Sequence, residues 1–424
     1  MNNQHGEGMS RRSFGKLSAA AGFAVVTGRA FAADVNTDTL RVGLIGCGGR
    51  GTDAAANMLE GNDNVVLVAM ADVFEDRLIS SLSRLKNSKK EKVATKVAVD
   101  KGHCFTGFDA YKKLLETDVN VVIHGALPYC RPQHIAAVID AGKHLFTEKP
   151  VAVDPEGIRM VMAAAEKARE KKLSLVAGTQ RRHQKEYVET VKRIRDGDLG
   201  KIQAMRAYWC GSLPFCHERK ADWSDLEYRL RNWYAYCWVA GDNIVEQHVH
   251  NLDVMNWVMG GPPKRVFAMG GRSWKTPDEK YGDIYDHFAC DYEYEADGEP
   301  VRMTSFSRHW KGCAEGVFEE VVGTKGTSDC RRIGKKRVEG GIDPYVQEHI
   351  DLIASIRGTG PYLNEGVQVA ESTMTAIMGR MSAYTGQNIL YSKALETDLN
   401  LVPKEFDFSK PYPVGPVPNP GWQA

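Results

Sequence analysis

The stretch "TLRVGLIGCGGRGTDAAANML" (residues 39–59) constrains the fold of this chain more than any other. Leu40, Val42, Leu44 and Ile45 make a short apolar strand. It runs directly into Gly46-Cys47-Gly48-Gly49-Arg50-Gly51, and a helical pattern follows. This is G-x-G-x-x-G in the strand–turn–helix context that gives the motif its meaning. Gly46 permits the tight turn, Gly48 lets the backbone approach a pyrophosphate, and Gly51 allows close helix–strand packing. Free amides at the helix N-terminus, including those of Gly49 and Arg50, then face the phosphates.

A second strand, "VVLVAMAD", ends on Asp72, 21 residues after Gly51. A carboxylate there bonds the adenosine ribose hydroxyls and repels a 2′-phosphate, which favours NAD over NADP. Arg77 nearby keeps NADP open. The strand "DVNVVIHGALP", the helix "RPQHIAAVIDAGK" and the strand "HLFTEKP" continue the alternation. Strands and helices alternating at this length predict a doubly wound parallel sheet, here a dinucleotide-binding domain over 39–150.

From Lys201 onward the periodicity drops to two. "KIQAMRAYW", "KRVFAMGGR", "DHFACDYEYEA", "VRMTSFSRHW" and "GVFEEVVGTKG" alternate apolar and polar residues, with turn residues such as Asp297-Gly298 between them. That pattern predicts an open, mainly antiparallel sheet in a second α+β domain over 151–402. A chain of 424 residues has room for two such cores. The net charge of +1 offers no field for nucleic acid or an anionic membrane surface. The nine cysteines include no C-x-x-C pair, so no zinc-type spacing is present.

Between the two halves of the second domain, "IVEQHVHNLDVMNW" (residues 244–257) crowds Glu246, His248, His250 and Asp253 together. On one continuous helix Glu246, His250, Asp253 and Trp257 share a stripe, and His248 lies nearer the apolar side. The polar face is either a metal site, since carboxylate and imidazole ligate zinc, or a proton-transfer site, or ordinary helix surface. Upstream, residues 210–238 are rich in aromatic and charged side chains, which suits either stacking on a sugar ring or plain packing.

"AGKHLFTEKP" following the glycine motif, together with the H-x-x-D helix, resembles the Gfo/Idh/MocA oxidoreductases. "GTQRRHQKEYVETVKRIRDGDLGKI" and "STMTAIMGRMSAYTGQ" extend the resemblance over the rest of the chain. The resemblance implies an NAD(P)-dependent enzyme acting on a ring hydroxyl of a sugar, glycoside or cyclitol. It implies that Glu148 and Lys149 of Glu-Lys-Pro stand at the cofactor, with Lys149 reaching the reacting hydroxyl and His250 serving as acid/base. An imidazole titrates near neutrality and suits that task. The family commonly has Asp where this chain has Glu246, which then orients His250 or contacts a hydroxyl. Asp253 is expected to line the pocket, and Gln180 and Arg181 to touch nicotinamide or substrate. No metal is expected, because the nucleotide already supplies the electrophile. A homo-oligomer is expected.

Both ends of the chain differ in kind. "SRRSFGK", the run "LSAAAGFAVVTG" and "AFA" follow the order of a secretory signal over 1–32, and the Arg11-Arg12 pair resembles the twin-arginine type. An exported enzyme meets little free NAD, so a tightly held, internally recycled cofactor is expected. The Pro-rich 403–424 predicts either a disordered tail or an arm lying on a neighbouring subunit. Two rival functions remain. One is a glycosidase resembling glycoside hydrolase family 109, which oxidises transiently, eliminates, hydrates and returns the hydride. The other is a non-catalytic sugar or nucleotide sensor, against which Lys149 and His250 argue.

Overall fold

The computed structural model describes residues 38–338 and 340–421. The expected export signal at 1–32 lies outside the described residues. Six strands form a parallel sheet: β1 (Leu40–Ile45), β2 (Val65–Asp72), β3 (Cys104–Thr106), β4 (Val121–His124), β5 (His144–Thr147) and β6 (Leu175–Ala177). Their order is β3-β2-β1-β4-β5-β6. Val42, Leu44, Val121, Val122 and Ile123 are fully buried, as expected for strands covered on both faces by helices. Strand order reverses between β1 and β4, and ligands of such sheets bind in the crevice at that point. The sheet takes its sixth strand after residue 150. Helix Pro155–Glu170 also packs on helix Arg131–Asp140, so this layer runs past the boundary expected from sequence.

The second sheet comprises β7 (Ile202–Gly211), β8 (Arg265–Gly271), β9 (His287–Ala296), β10 (Glu299–His309), β11 (Gly316–Gly323), β12 (Gly326–Ser328), β13 (Arg332–Ile333), β14 (Lys336–Arg337) and β15 (Ile389–Leu390). Its order is β14-β13-β12-β11-β7-β10-β9-β8-β15. All pairs are antiparallel except β10 and β7, which run parallel in the middle, so the sheet is mixed. Period-two alternation reports strands and faces but carries no information on direction.

Two helices join the layers. Helix Gly366–Thr385 packs on β8, on helix Val249–Met259 and on helix Pro155–Glu170. Its Arg380, almost fully buried, donates to the carbonyls of Gly241 (2.9 Å) and Val153 (2.8 Å). Helix Pro344–Arg357 returns to the first domain and packs on helix Gly49–Gly61, which follows the glycine turn.

Residues 403–421 of the Pro-rich segment are described. They pack on their own chain: Tyr412 N–H donates to Asp225 Oδ2 (3.0 Å), and Tyr285 Oη donates to the Pro418 carbonyl (2.8 Å). All nine cysteines are free thiols. Among the described residues no helix is long and apolar enough to cross a membrane.

Candidate active site

The turn after β1 is built around glycine for steric reasons. Gly46 has φ +90°, and a Cβ there would stand 2.2 Å from the Ala126 amide nitrogen; one on Gly51 would stand 2.0 Å from the Gly46 carbonyl oxygen. Helix Gly49–Gly61 begins after Gly48 with no side-chain cap, so its first amides are left for a ligand. Gly46, Gly48 and Gly49 line a cavity of about 470 Å³. A Cβ on Gly48 or Gly49 would meet no atom within 4 Å and would take up space in that cavity. A pyrophosphate therefore fits the cradle these residues leave.

Asp72 also lines the cavity. Its Oδ2 accepts from Cys47 N–H (2.6 Å) and its Oδ1 from Phe74 N–H (2.8 Å). Burial pushes its pKa above the ordinary carboxylate value, while those two amides pull the other way. Each oxygen retains a lone pair for a ribose hydroxyl. Arg77 lines the same end.

At the other end of the cavity stand Lys149, Glu246 and His250. Lys149 Nζ donates to the Glu246 backbone carbonyl (2.6 Å) and to Glu246 Oε1 (3.1 Å). Glu246 thus holds Lys149, where the sequence left it either to orient His250 or to contact a hydroxyl. The segment is not one helix. Helix Asn243–Glu246 ends, His248 N–H donates five residues back to Asn243 O (3.2 Å), and helix Val249–Met259 begins. Such a widened turn is common where a helix serves a site.

His250 is buried, with its ring stacked 5.8 Å from that of Trp209, and its Nδ1 is buried without a hydrogen-bond partner. Burial, then the charges of Lys149, Arg181 and Arg50, hold its pKa well below the ordinary imidazole value. The ring is neutral at neutral pH and ready to accept a proton. His248, fully buried, bonds Ser305 Oγ through Nε2 (2.7 Å) and faces away from the cavity lining.

The remaining expected site residues are distributed differently. Arg50 and Glu148 line the cavity but bond each other: Arg50 Nε donates to Glu148 Oε1 (2.5 Å), and Arg50 Nη2 to Glu348 Oε1 (2.9 Å). Gln180 is outside the lining; its amide donates to Tyr345 Oη (3.1 Å), and Tyr345 is the residue that reaches the cavity. Arg181 is also outside it, in an ion pair with Glu319. Its charge still acts on His250.

Asp253 departs most from expectation. Its oxygens accept from Arg182 Nε (2.8 Å) and Nη2 (2.9 Å) and from Ser372 Oγ (2.8 Å), and it is 1% exposed. Its carboxylate is committed to a buried structural pair, so Glu246, His250 and Asp253 do not converge as a metal-ligand set.

Sequence reasoning did not single out Tyr345, Trp233 or Phe406, which line the cavity from distant segments. Nor did it single out His124, Cys130 and His134, whose ligating atoms lie within 4.8 Å of one another beside it. His124 Nε2 and His134 Nδ1 hydrogen-bond each other at 2.9 Å, and burial draws His134 down to about 3.

Comparison with known proteins bears on the fold and the family. Residues 40–175 match the family described as "Oxidoreductase family, NAD-binding Rossmann fold", and residues 187–329 match the "GFO/IDH/MocA C-terminal domain". Myo-inositol 2-dehydrogenase of Thermotoga maritima is 25% identical over 245 residues, 58% of this chain and 62% of that protein. 2,7-Anhydro-N-acetylneuraminate hydratase of Mediterraneibacter gnavus is 23% identical over 213 residues, 49% of this chain and 50% of that one. The chain thus spans about half to two thirds of the length of these relatives. The structure of scyllo-inositol dehydrogenase from Lactobacillus casei with bound NAD(H) and scyllo-inositol superposes with a TM-score of 0.62 at 17% identity, covering 84% of this chain and 100% of that one. With an NAD-binding Rossmann domain and the companion C-terminal domain matched over more than half its residues, the chain belongs to the Gfo/Idh/MocA oxidoreductase family.

Proposed function

We propose that this protein is an exported NAD-dependent oxidoreductase acting on a ring hydroxyl of a sugar, glycoside or cyclitol, with its cofactor tightly held and recycled in place. The observation that carries this reading is one continuous cavity with a phosphate cradle and Asp72 at one end and Lys149, Glu246 and His250 at the other. When bound, NAD supplies the hydride acceptor. Lys149 has three N–H donors. Two point at Glu246, and the third is left to bond the reacting oxygen and stabilise its developing negative charge. His250, neutral, takes the hydroxyl proton at Nε2, the ring nitrogen other than the buried Nδ1. Trp209, stacked on His250, offers an aromatic face near these groups, in keeping with a ring substrate. The inositol dehydrogenase among the relatives supports the same substrate class. Incubating the purified protein with NAD and a panel of cyclitols and glycosides, then identifying products by mass spectrometry, tests the reading. A keto product two hydrogens lighter than its substrate supports it; a panel returned unchanged refutes it.

A second reading draws on the relative named as a hydratase, whose name describes addition of water. Here oxidation is transient, a glycosidic bond is eliminated, water adds, and the hydride returns, as in a family 109 glycosidase. The same Lys149 and His250 serve both, and release of nitrophenol from an aryl glycoside with no NADH accumulating selects the second.

Export rests on the Arg11-Arg12 motif and the A-x-A site of the first 32 residues. Periplasmic location of the full chain, lost on Arg11-Arg12→Lys-Lys substitution, tests it. A homo-oligomer is supported by the outward face of the second sheet. There Met269, Ala289, Phe306, Tyr208 and Phe318 stand in register across five strands. Met269 is 63% exposed and Phe306 39%, an apolar row suited to a second copy of itself. Light scattering that gives a monomer mass, unchanged by Phe306→Asp, counts against it.

A further inference from the structure

We propose that the Pro-rich arm is part of the nucleotide site: Phe406 forms a wall of the adenine subsite, and the anchored arm holds that subsite closed. The inference rests on the NAD reading above and deepens it. An acidic side chain at the end of the second Rossmann strand takes the adenosine ribose, so the base attached to that ribose lies just beyond Asp72. The cavity beyond Asp72 is lined by Phe74, Phe108, Tyr129 and Phe406. Phe108 and Phe406 are stacked, with centroids 5.3 Å apart and planes 22° apart, and Tyr129 lies 5.1 Å from Phe406. Flat apolar faces of this kind suit a neutral purine ring. Phe408 supports the wall from behind, 5.2 Å from Phe108.

Three anchors hold the arm. Leu401 N–H donates to Asp154 Oδ2 (2.9 Å) before Phe406. After it, Tyr412 bonds Asp225 through its N–H and accepts from the Arg229 guanidinium through its carbonyl, and Pro418 accepts from Tyr285. Proline supplies no N–H, so this segment is held by side chains of the body and not by a sheet ladder. Phe406 therefore sits between fixed points, and a base seated against it meets a wall that those anchors keep in place.

The test is the release of bound NADH from the full chain, followed by fluorescence after a chase with excess NAD, in the parent, Phe406→Ala and Phe406→Leu. The expected result is release about tenfold faster in Phe406→Ala, a change of about 1.4 kcal/mol, with Phe406→Leu between it and the parent. ADP-ribose affinity falls with it, and nicotinamide mononucleotide affinity does not. A release rate within twofold of the parent in Phe406→Ala, or in Phe406→Leu where the Ala variant does not fold, overturns the arm's role. Equal losses for ADP-ribose and nicotinamide mononucleotide also overturn it, because they indicate general disruption. A folded parent that binds no NADH removes the NAD reading itself, and the inference with it.

Discussion

Lys149, at the end of the first domain's β5–Pro150 segment, is held by Glu246 of the second domain, with Nζ 2.6 Å from the backbone carbonyl and 3.1 Å from Oε1. The pair ties the reacting end of the cavity to both domains. It also fixes the lysine's reach by two acceptors, so that the remaining donor has one direction to offer. Glu246→Gln keeps the carbonyl contact and a side-chain acceptor, whereas Glu246→Ala removes the anchoring carboxylate. Steady-state kinetics should rank parent, Gln, then Ala in kcat; an Ala variant as fast as the parent contradicts the anchoring role.

His250→Asn should lower kcat/KM by roughly 10²–10⁴, the usual worth of a positioned acid/base. Nucleotide binding should persist, since the phosphate cradle lies at the other end of the cavity. Lost NADH binding in a folded His250→Asn protein would instead make the histidine a cofactor contact.

The depressed pKa of His250 has a consequence for pH. Burial and the charges of Lys149, Arg181 and Arg50 disfavour the protonated ring, so the base form persists below pH 6.5. The acid limb of kcat/KM should lie under that value, and a limb at or above it refutes the assignment.

His183 moves in the opposite direction. Burial lowers its pKa, but Glu365 and Asp351 outweigh burial and raise it to about 10. A raised pKa contributes stability that is complete below the unfolded value and is lost as pH climbs through the folded one. The melting temperature should therefore fall between about pH 6.5 and pH 10, and less steeply in His183→Gln. Equal slopes would exclude this group as the cause.

Asp253→Asn leaves the Arg182 guanidinium buried with a neutral partner and should cost roughly 3–5 kcal/mol of stability. Thermal denaturation measures it. A substrate-binding aspartate would raise KM and leave the melting temperature alone, and that pattern would restore the expectation the structure overturned.

Much of this site was legible before the fold. The turn glycines could be read because an apolar strand and a helix flank them, and Asp72 because its distance from them is set by one βαβ unit. Lys149 and His250 were reached through resemblance to a family, not through periodicity. Asp253 was misplaced because a helical stripe shows which residues share a face and not what packs there. Its partner Arg182 lies far off in sequence, beside the Arg181 that seemed the better candidate. The turn at Gln247–His248 is a local widening with no breaker residue to announce it. The arm was open to two readings because prolines forbid regular structure without choosing a surface. Phe406, Phe108 and Tyr129 meet only once the chain is folded.

Hydride transfer from a ring carbon to the nucleotide can be followed with a hydrogen label. The full chain, loaded with NAD, is offered cyclitols and glycosides deuterated at their ring carbons, and the nucleotide is examined by mass spectrometry. Deuterium is expected on the nucleotide from a ring carbon bearing a hydroxyl, and is expected to be lost in both Lys149→Met and His250→Asn. Deuterium transferred equally well by those two variants, or no transfer from any ring to a nucleotide that is demonstrably bound, would contradict that expectation.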